Sequence, residues 1–273
     1  RLILMIVGIP FFLPKGLEYA VCYIILSNVI SEGASILVLF LFLPKKIQLK
    51  KEDLIPKKDY MKESLSIGIP NTTGRLLGSI GYFLEPILLT TTLLALGYSS
   101  KFITTEYGIL SGYVMPLLLL PSFFTMAISQ ALLPLVSREY TRGNYTFVTR
   151  KIKQAILYSL AIGIPVTIFF VIFPEFPLKL IYHTNEGISY MRFLAPVCLF
   201  QYIQSPLSSC LDAMGKSRDA MVATTIGVVI RSIFLVLLSL LNIGLWGLII
   251  AISLNVFAVT FYSLKKVRSY LTI

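Results

Sequence analysis

The chain has 273 residues, of which 56% are hydrophobic and 14% are charged, and its formal net charge is +11. A soluble domain carries about 25% charged residues, so the composition excludes a soluble enzyme and indicates an integral membrane protein. The positive charge does not indicate nucleic-acid binding, because the basic residues lie in connections between long apolar blocks.

The first 43 residues contain two apolar blocks, Leu2–Leu13 and Leu17–Leu43, separated by a turn at Pro14–Gly16. We expect the sequence to begin partway through a helix rather than with a signal-peptide n-region. We interpret residues 1–43 as the end of a first helical lobe, consisting of a helix stub and one transmembrane helix. The rest of that first lobe of the same protein is then an expected partner of this chain.

A basic segment with seven Lys residues follows at residues 44–62 and predicts a linker between two helix bundles. After it, six apolar blocks approach or exceed the ~20 residues that cross ~30 Å of hydrocarbon. They predict a six-helix lobe over residues 63–268, followed by a tail at 269–273. The blocks, in chain order, are Ile67–Leu96, Tyr107–Val136, Ala155–Phe173, Met191–Leu211, Met221–Leu241 and Trp246–Leu264.

The predicted fold class is therefore all-α. We expect a polytopic transmembrane helix bundle with one six-helix lobe, plus the last helix and a stub of the preceding lobe. Six-helix lobes of this kind usually form half of a two-lobed transporter. Three prolines, Pro116, Pro121 and Pro134, are expected to break the second helix of the lobe.

The distribution of basic residues predicts how the helices are oriented. Seventeen Lys and Arg residues lie in one alternating set of connections and four lie in the other set. By the positive-inside rule, loops 44–62, 137–153 and 212–219 and the tail 265–273 face the cytoplasm. Their basic side chains are also expected to contact anionic membrane lipids.

The first helix of the predicted lobe carries a polar stripe. Asn71, Arg75, Gly78, Tyr82 and Glu85 are spaced by 4, 3, 4 and 3 residues, which places them on one helix face. An ion at the membrane centre costs at least ~2.5 kcal/mol, so Arg75 and Glu85 should face protein or water. Two interpretations stay open: the stripe is a cavity wall for a charged head group, or its ions are interhelical locks.

Polar residues on other helices extend the list of candidates. Gln130 lies in the second block, Gln204 in the fourth and Arg231 in the middle of the fifth. Arg231 is a candidate partner of Glu85, and Glu32 could serve as a partner instead. The sequence does not choose between these pairings.

Two further features concern helix contacts. Gly74–Gly78 and Gly108–Gly112 have the small-xxx-small spacing that permits close helix approach. Asp212 lies near the end of its block, where we expect it to meet Lys216 or Arg218.

Enzymatic chemistry has no visible basis in this chain. It contains one His and three Cys, without metal-binding or redox spacing, and it has no phosphate-binding loop. We therefore predict no catalytic residue, no cofactor and no metal site.

Three segments resemble the stage V sporulation protein B family. They are Ile69–Ile87, Tyr107–Glu139 and Leu211–Lys216, of which Tyr107–Glu139 is the most specific. That family is grouped with polysaccharide exporters, peptidoglycan-precursor flippases and multidrug antiporters in the multidrug/oligosaccharidyl-lipid/polysaccharide exporter superfamily. The resemblance implies a two-lobed membrane protein that moves lipid-linked saccharides, and in the sporulation branch a peptidoglycan precursor for the spore cortex.

The resemblance also bears on the site. Peptidoglycan-precursor flippases carry a cavity arginine in the helix that corresponds to Tyr107–Val136, which has no buried Arg here. Arg75 and Arg231 are the hypothetical replacements, because guanidinium groups bind phosphate oxygens strongly. Glu85 would balance the arginines or carry a coupling proton. The remaining candidates, which would donate or accept hydrogen bonds, are Asn71, Tyr82, Gln130 and Gln204.

The function predicted from the sequence is thus a flippase of lipid-linked saccharide that works by alternating access. Two alternatives stay open. The first is a cation-coupled antiporter for small molecules. The second is a non-transporting membrane scaffold that recruits wall-synthesis proteins.

Overall fold

The computed structural model describes residues 2–42 and 58–271, which form helices and turns without a strand. This confirms the all-α prediction. The chain divides into two units of internal contact, with the boundary between residues 57 and 58. Residues 43–57, which include most of the predicted linker 44–62, lie outside the described ranges.

The first unit is a helical hairpin. Helix α1 (Leu2–Phe12) is followed by a short 3-10 turn and then by α2 (Leu17–Phe42). The hydroxyl group of Tyr23 donates a hydrogen bond of 2.9 Å to the carbonyl group of Leu4. Its ring stacks on Phe12 with centroids 4.7 Å apart, so one aromatic side chain joins the two helices.

The second unit contains nine α-helices in its described residues. A π-helix over Ile109–Val114 joins α4 to α5. The helices are α3 (Lys58–Ala95), α4 (Ser100–Gly108), α5 (Met115–Leu119), α6 (Ser122–Thr141), α7 (Tyr145–Ile172), α8 (Glu175–Tyr182), α9 (Ile188–Ala213), α10 (Ser217–Ser239) and α11 (Trp246–Leu271).

Several predicted boundaries were wrong because the helices run beyond their apolar blocks. Helix α3 begins at Lys58, inside the predicted linker. The predicted loops 137–153 and 212–219 are mostly helical, and α11 extends into the predicted tail as far as Leu271. Polar residues can continue a helix above the hydrocarbon, where water satisfies their side chains.

Six helical stretches in the described residues are long and apolar enough to cross a membrane, which supports the multi-pass prediction. Helix α9, with 26 residues, has the length but is not among them. It packs against α6, α7 and α11, and many of its side chains are buried. The six stretches are Glu18–Phe42, Ser64–Ala95, Ser100–Leu119, Tyr145–Ile172, Ser217–Ser239 and Trp246–Leu271.

The predicted second crossing is not one continuous α-helix. The amide of Met115 bonds to the carbonyl of Leu110, as in a π-turn, just before Pro116. A proline lacks the N–H group that would continue the regular ladder, which explains the irregular turn at this point. The second break occurs at Pro121, as predicted, whereas Pro134 lies inside α6 without ending it.

Helices α3 and α10 run parallel and approach closely. Successive contacts between them are three or four residues apart on each helix, so one face of α3 lies against one face of α10. This confirms the prediction for Gly74–Gly78, whereas a Cβ on Gly108 or Gly112 would meet nothing within 4 Å in the described residues. The three contacts pair Gly74 with Met221, Gly78 with Thr224 and Gly81 with Val228.

The first prediction concerns this close approach. A Cβ at position 81 would lie 2.8 Å from Val228 Cγ1. We expect Gly81→Ala to lower the free energy of unfolding by about 1–3 kcal/mol, because it overpacks the interface. Thermal unfolding of the full-length protein in detergent measures this change.

Gly108→Ala is the matched control, since it should leave stability unchanged or raise it by up to about 1 kcal/mol. Equal stability of the two variants would contradict the close contact of α3 with α10.

Candidate functional site

An ion pair between Glu85 and Arg231 lies at the next step beyond the glycine contacts. Glu85 follows Gly81 by four residues on α3, and Arg231 follows Val228 by three on α10. The two parallel helices therefore bring these side chains together, and Arg231 Nη2 contacts Glu85 Oε2. The side chains are only 7% and 16% exposed for Glu85 and Arg231, so water screens the pair little.

Two tyrosines complete the surroundings of the ion pair. The hydroxyl group of Tyr107 on α4 donates a hydrogen bond of 3.4 Å to Glu85 Oε1. The Arg231 guanidinium lies 5.2 Å from the centroid of the Tyr82 ring, which is within cation–π range. Each charge thus has a second partner besides the opposite ion.

The ion pair borders a cavity of about 190 Å³ between α3, α5, α9, α10 and α11. Its apolar walls include Leu119, Leu194 and Val197. Opposite charges and uncharged hydrogen-bonding groups face the same space, which suits a polar ligand better than a purely apolar one. The polar lining residues are Tyr82, Glu85, Gln201, Gln204, Thr224, Arg231, Ser232 and Asn255.

Hydrogen bonding in the lining is incomplete. The side-chain nitrogen of Gln204 donates to the carbonyl of Val256 and to the hydroxyl of Thr260, both at 3.0 Å. By contrast, the buried Nε of Arg231 has no hydrogen-bond acceptor among the described residues. A buried guanidinium with a spare donor can bind an anionic ligand without losing an existing hydrogen bond.

Four of the seven predicted site residues line this cavity: Tyr82, Glu85, Gln204 and Arg231. The other three, Asn71, Arg75 and Gln130, are not among its lining residues. Arg75 and Gln130 are exposed, and Asn71 is partly exposed. Both interpretations of the stripe therefore apply to Glu85, which locks two helices and also faces a cavity.

Arg75 does not face the cavity that contains Glu85, although both residues belong to the predicted stripe. It lies close enough to Asp212, at the end of α9, for an electrostatic interaction. The expected contact of Asp212 with Lys216 or Arg218 is wrong: neither forms an ion pair with it in the described ranges. Lys216 instead lies over the ring of Tyr270, at 4.9 Å from its centroid.

Some residues at the site were not predicted from the sequence: Asn255 lines the cavity, and Tyr107 lies outside the lining but contacts Glu85. Tyr107 and Asn255 were missed, although each places a polar group within or beside an apolar block. The signal that could have found Asn255 is its isolated amide in the block Trp246–Leu264. Tyr107 carried no such signal, because tyrosines are common near the ends of membrane helices.

Two family models match the chain. The one described as MatE matches residues 80–237, and the one described as Polysaccharide biosynthesis protein matches residues 2–139. The chain belongs to both families. This confirms the predicted membership of the multidrug/oligosaccharidyl-lipid/polysaccharide exporter superfamily, which is a group of transporters rather than enzymes.

Relatives in Bacillus subtilis (strain 168) carry related names. The chain is 32% identical over 280 residues to Stage V sporulation protein B, with 100% of this chain and 54% of the relative aligned. It is 24% identical over 169 residues to Lipid II flippase MurJ, with 60% of this chain and 31% of the relative aligned. The chain thus spans about half the length of these curated relatives or less.

Solved structures share the fold. The crystal structure of MATE in the bent conformation aligns with 98% of this chain and 59% of its own length, with a TM-score of 0.76 and 18% identity. At that identity the likeness establishes the helical arrangement alone. It supports the fold prediction independently of the family models.

The second prediction concerns the ion pair. Glu85→Gln or Arg231→Gln alone should lower the free energy of unfolding by about 3–5 kcal/mol, because each leaves one buried charge unpaired. The double variant should lose less than the sum of the two single variants. Thermal unfolding of the four full-length proteins in detergent gives the coupling energy.

The exposed pair Arg142–Glu139, with atoms 3.2 Å apart, is the matched control. Its coupling energy should not exceed about 1 kcal/mol. A coupling energy for Glu85 and Arg231 as small as this would contradict a direct buried contact.

Proposed function

We propose that this chain supplies one lobe of an exporter that moves lipid-linked saccharides across the membrane by alternating access. The observation that carries the proposal is the Glu85–Arg231 pair on the wall of a cavity that contains several polar side chains, inside an exporter-family helix bundle. The other lobe would come from the rest of the same protein. The substrate and the membrane lipids are the partners that this function requires.

The cavity matches one part of such a substrate. A volume of about 190 Å³ is smaller than the ~300–1,000 Å³ of sites that enclose whole drug-sized ligands. It suits a phosphate-sized anion rather than a complete saccharide. Arg231 would bind the phosphate oxygens, while Gln201 and Asn255 would bind adjoining hydroxyl groups.

Binding of that anion would change the ion pair. The phosphate group competes with Glu85 for the guanidinium of Arg231. Glu85 then keeps only the hydrogen bond from Tyr107, and an unpaired buried carboxylate is costly. Glu85 is therefore the group that we expect to take up a coupling proton when substrate enters.

The biological role follows by similarity. Stage V sporulation protein B aligns with the full length of this chain, and another relative is named as a Lipid II flippase. We therefore assign the substrate to the peptidoglycan precursors, for the spore cortex. The basic segments 44–62, 137–153 and 212–219 and the tail 265–273 are proposed to face the cytoplasm.

A cation-coupled small-molecule antiporter is the second candidate. The buried carboxylate of Glu85 beside Tyr82 and Tyr107 would also suit a cationic ligand. Arg231 opposes that interpretation, because it neutralises the carboxylate and repels cations.

The third prediction tests the transport proposal. Arg231→Gln in the full-length protein should slow flipping of a lipid-linked saccharide in proteoliposomes by roughly tenfold or more, since it removes the anion-binding group. Arg142→Gln, at the exposed pair, should retain the wild-type rate. Arg75→Gln should slow flipping less than Arg231→Gln does, because Arg75 lies outside the cavity.

Other outcomes separate the alternatives. Wild-type flipping by well-folded Arg231→Gln protein would remove the cavity from the mechanism. Resistance of cells to lipophilic cations, without flipping, would identify the antiporter. A scaffold would tolerate every cavity substitution and lose its function when residues 44–62 are deleted.

A further inference from the structure

A second concave surface, separate from the transport cavity, lies at the basic start of α7. This groove has a volume of about 770 Å³. Its walls include Thr146, Arg150, Lys153 and Leu157 of α7, and Leu271 at the end of α11. None of these residues lines the cavity that contains Glu85 and Arg231.

One face of α7 supplies the groove's chemistry. Thr146, Arg150, Lys153 and Leu157 are spaced by 4, 3 and 4 residues, so they lie along one helix face. All four are exposed, and the last of them is apolar. The face therefore changes from polar and basic to apolar in the direction of the membrane.

The two basic side chains are available to a ligand. In the described ranges, neither Arg150 nor Lys153 lies within 4.0 Å of a carboxylate group. Their neighbour Lys151 is occupied, because it donates to Gln154 at 3.1 Å and lies 5.5 Å from the ring centroid of Phe147. Only one side of this helical turn therefore offers unpaired positive charge.

The position of the groove relative to the membrane indicates the type of ligand. Arg150 and Lys153 lie within the first nine residues of α7, whose Tyr145–Ile172 stretch is long and apolar enough to cross the membrane. Basic residues at the end of such a helix lie at the level of the lipid head groups. Leu157 and Leu271 extend the same groove with apolar surface.

We propose that this groove binds an anionic phospholipid. Arg150 and Lys153 hold the phosphate group, the hydroxyl of Thr146 donates a hydrogen bond to it, and one acyl chain lies along Leu157. The occupant is a lipid rather than a soluble phosphate, because the apolar end of the groove extends toward the hydrocarbon, where an acyl chain can pack and a soluble anion makes no contact. The proposal does not depend on what the transport cavity carries.

Native mass spectrometry of the full-length protein in detergent, titrated with phosphatidylglycerol, tests the proposal. Arg150→Gln/Lys153→Gln should weaken phosphatidylglycerol binding on the order of tenfold, since each basic group near the membrane surface contributes substantially. Binding of phosphatidylcholine should not change.

Arg218→Gln/Lys265→Gln is the matched control: it removes the same charge from exposed residues at other connections in the set predicted to be cytoplasmic. It should weaken binding by less than about twofold. Equal losses in both double variants, or no loss in the first, would overturn the proposal.

Two further measurements keep the test decisive. Glycerol 1-phosphate should not displace the lipid; displacement at concentrations similar to those of the lipid would show a soluble-anion site instead. If the first double variant does not fold, a photoactivatable phosphatidylglycerol on the wild-type protein should label residues 143–157. Labelling confined to other segments would overturn the assignment.

Discussion

The structure depends on one constraint: a charge inside a membrane helix bundle must find a partner. Glu85 and Arg231 each lie in the middle of an apolar helix, where an unpaired ion is costly. Close, parallel packing of α3 against α10 solves this problem by placing the two ions at matching positions. The glycine contacts matter because larger residues would hold the helices too far apart.

The same arrangement explains how a stabilising contact could also belong to the proposed transport site. A buried ion pair contributes little net stability compared with apolar packing, but removing one partner is strongly destabilising. A ligand that replaces one partner can therefore shift the conformation, because its binding energy offsets that cost. In the proposed function, the cavity beside Arg231 would give an anionic group access to this exchange.

The sequence predicted the helical class, the multi-pass membrane character and four of the residues that line the cavity. It failed where periodicity is ambiguous. On α3, the predicted polar stripe overlaps the row of residues that contacts α10, which runs through the glycines to Glu85. Both rows include Gly78 and Glu85. Spacing alone therefore could not show that Arg75 lies outside the cavity. Tyr107 is the partner of Glu85, and Asp212 is the neighbour of Arg75. These contacts join different helices, so the periodicity of a single helix cannot predict them.

The most direct measurement is a structure of the full-length protein bound to a lipid-linked saccharide. Our account predicts a phosphate oxygen within hydrogen-bonding distance of the Arg231 guanidinium, with Glu85 released from that contact. A substrate bound elsewhere, with the Glu85–Arg231 pair intact in every state of the transport cycle, would contradict it.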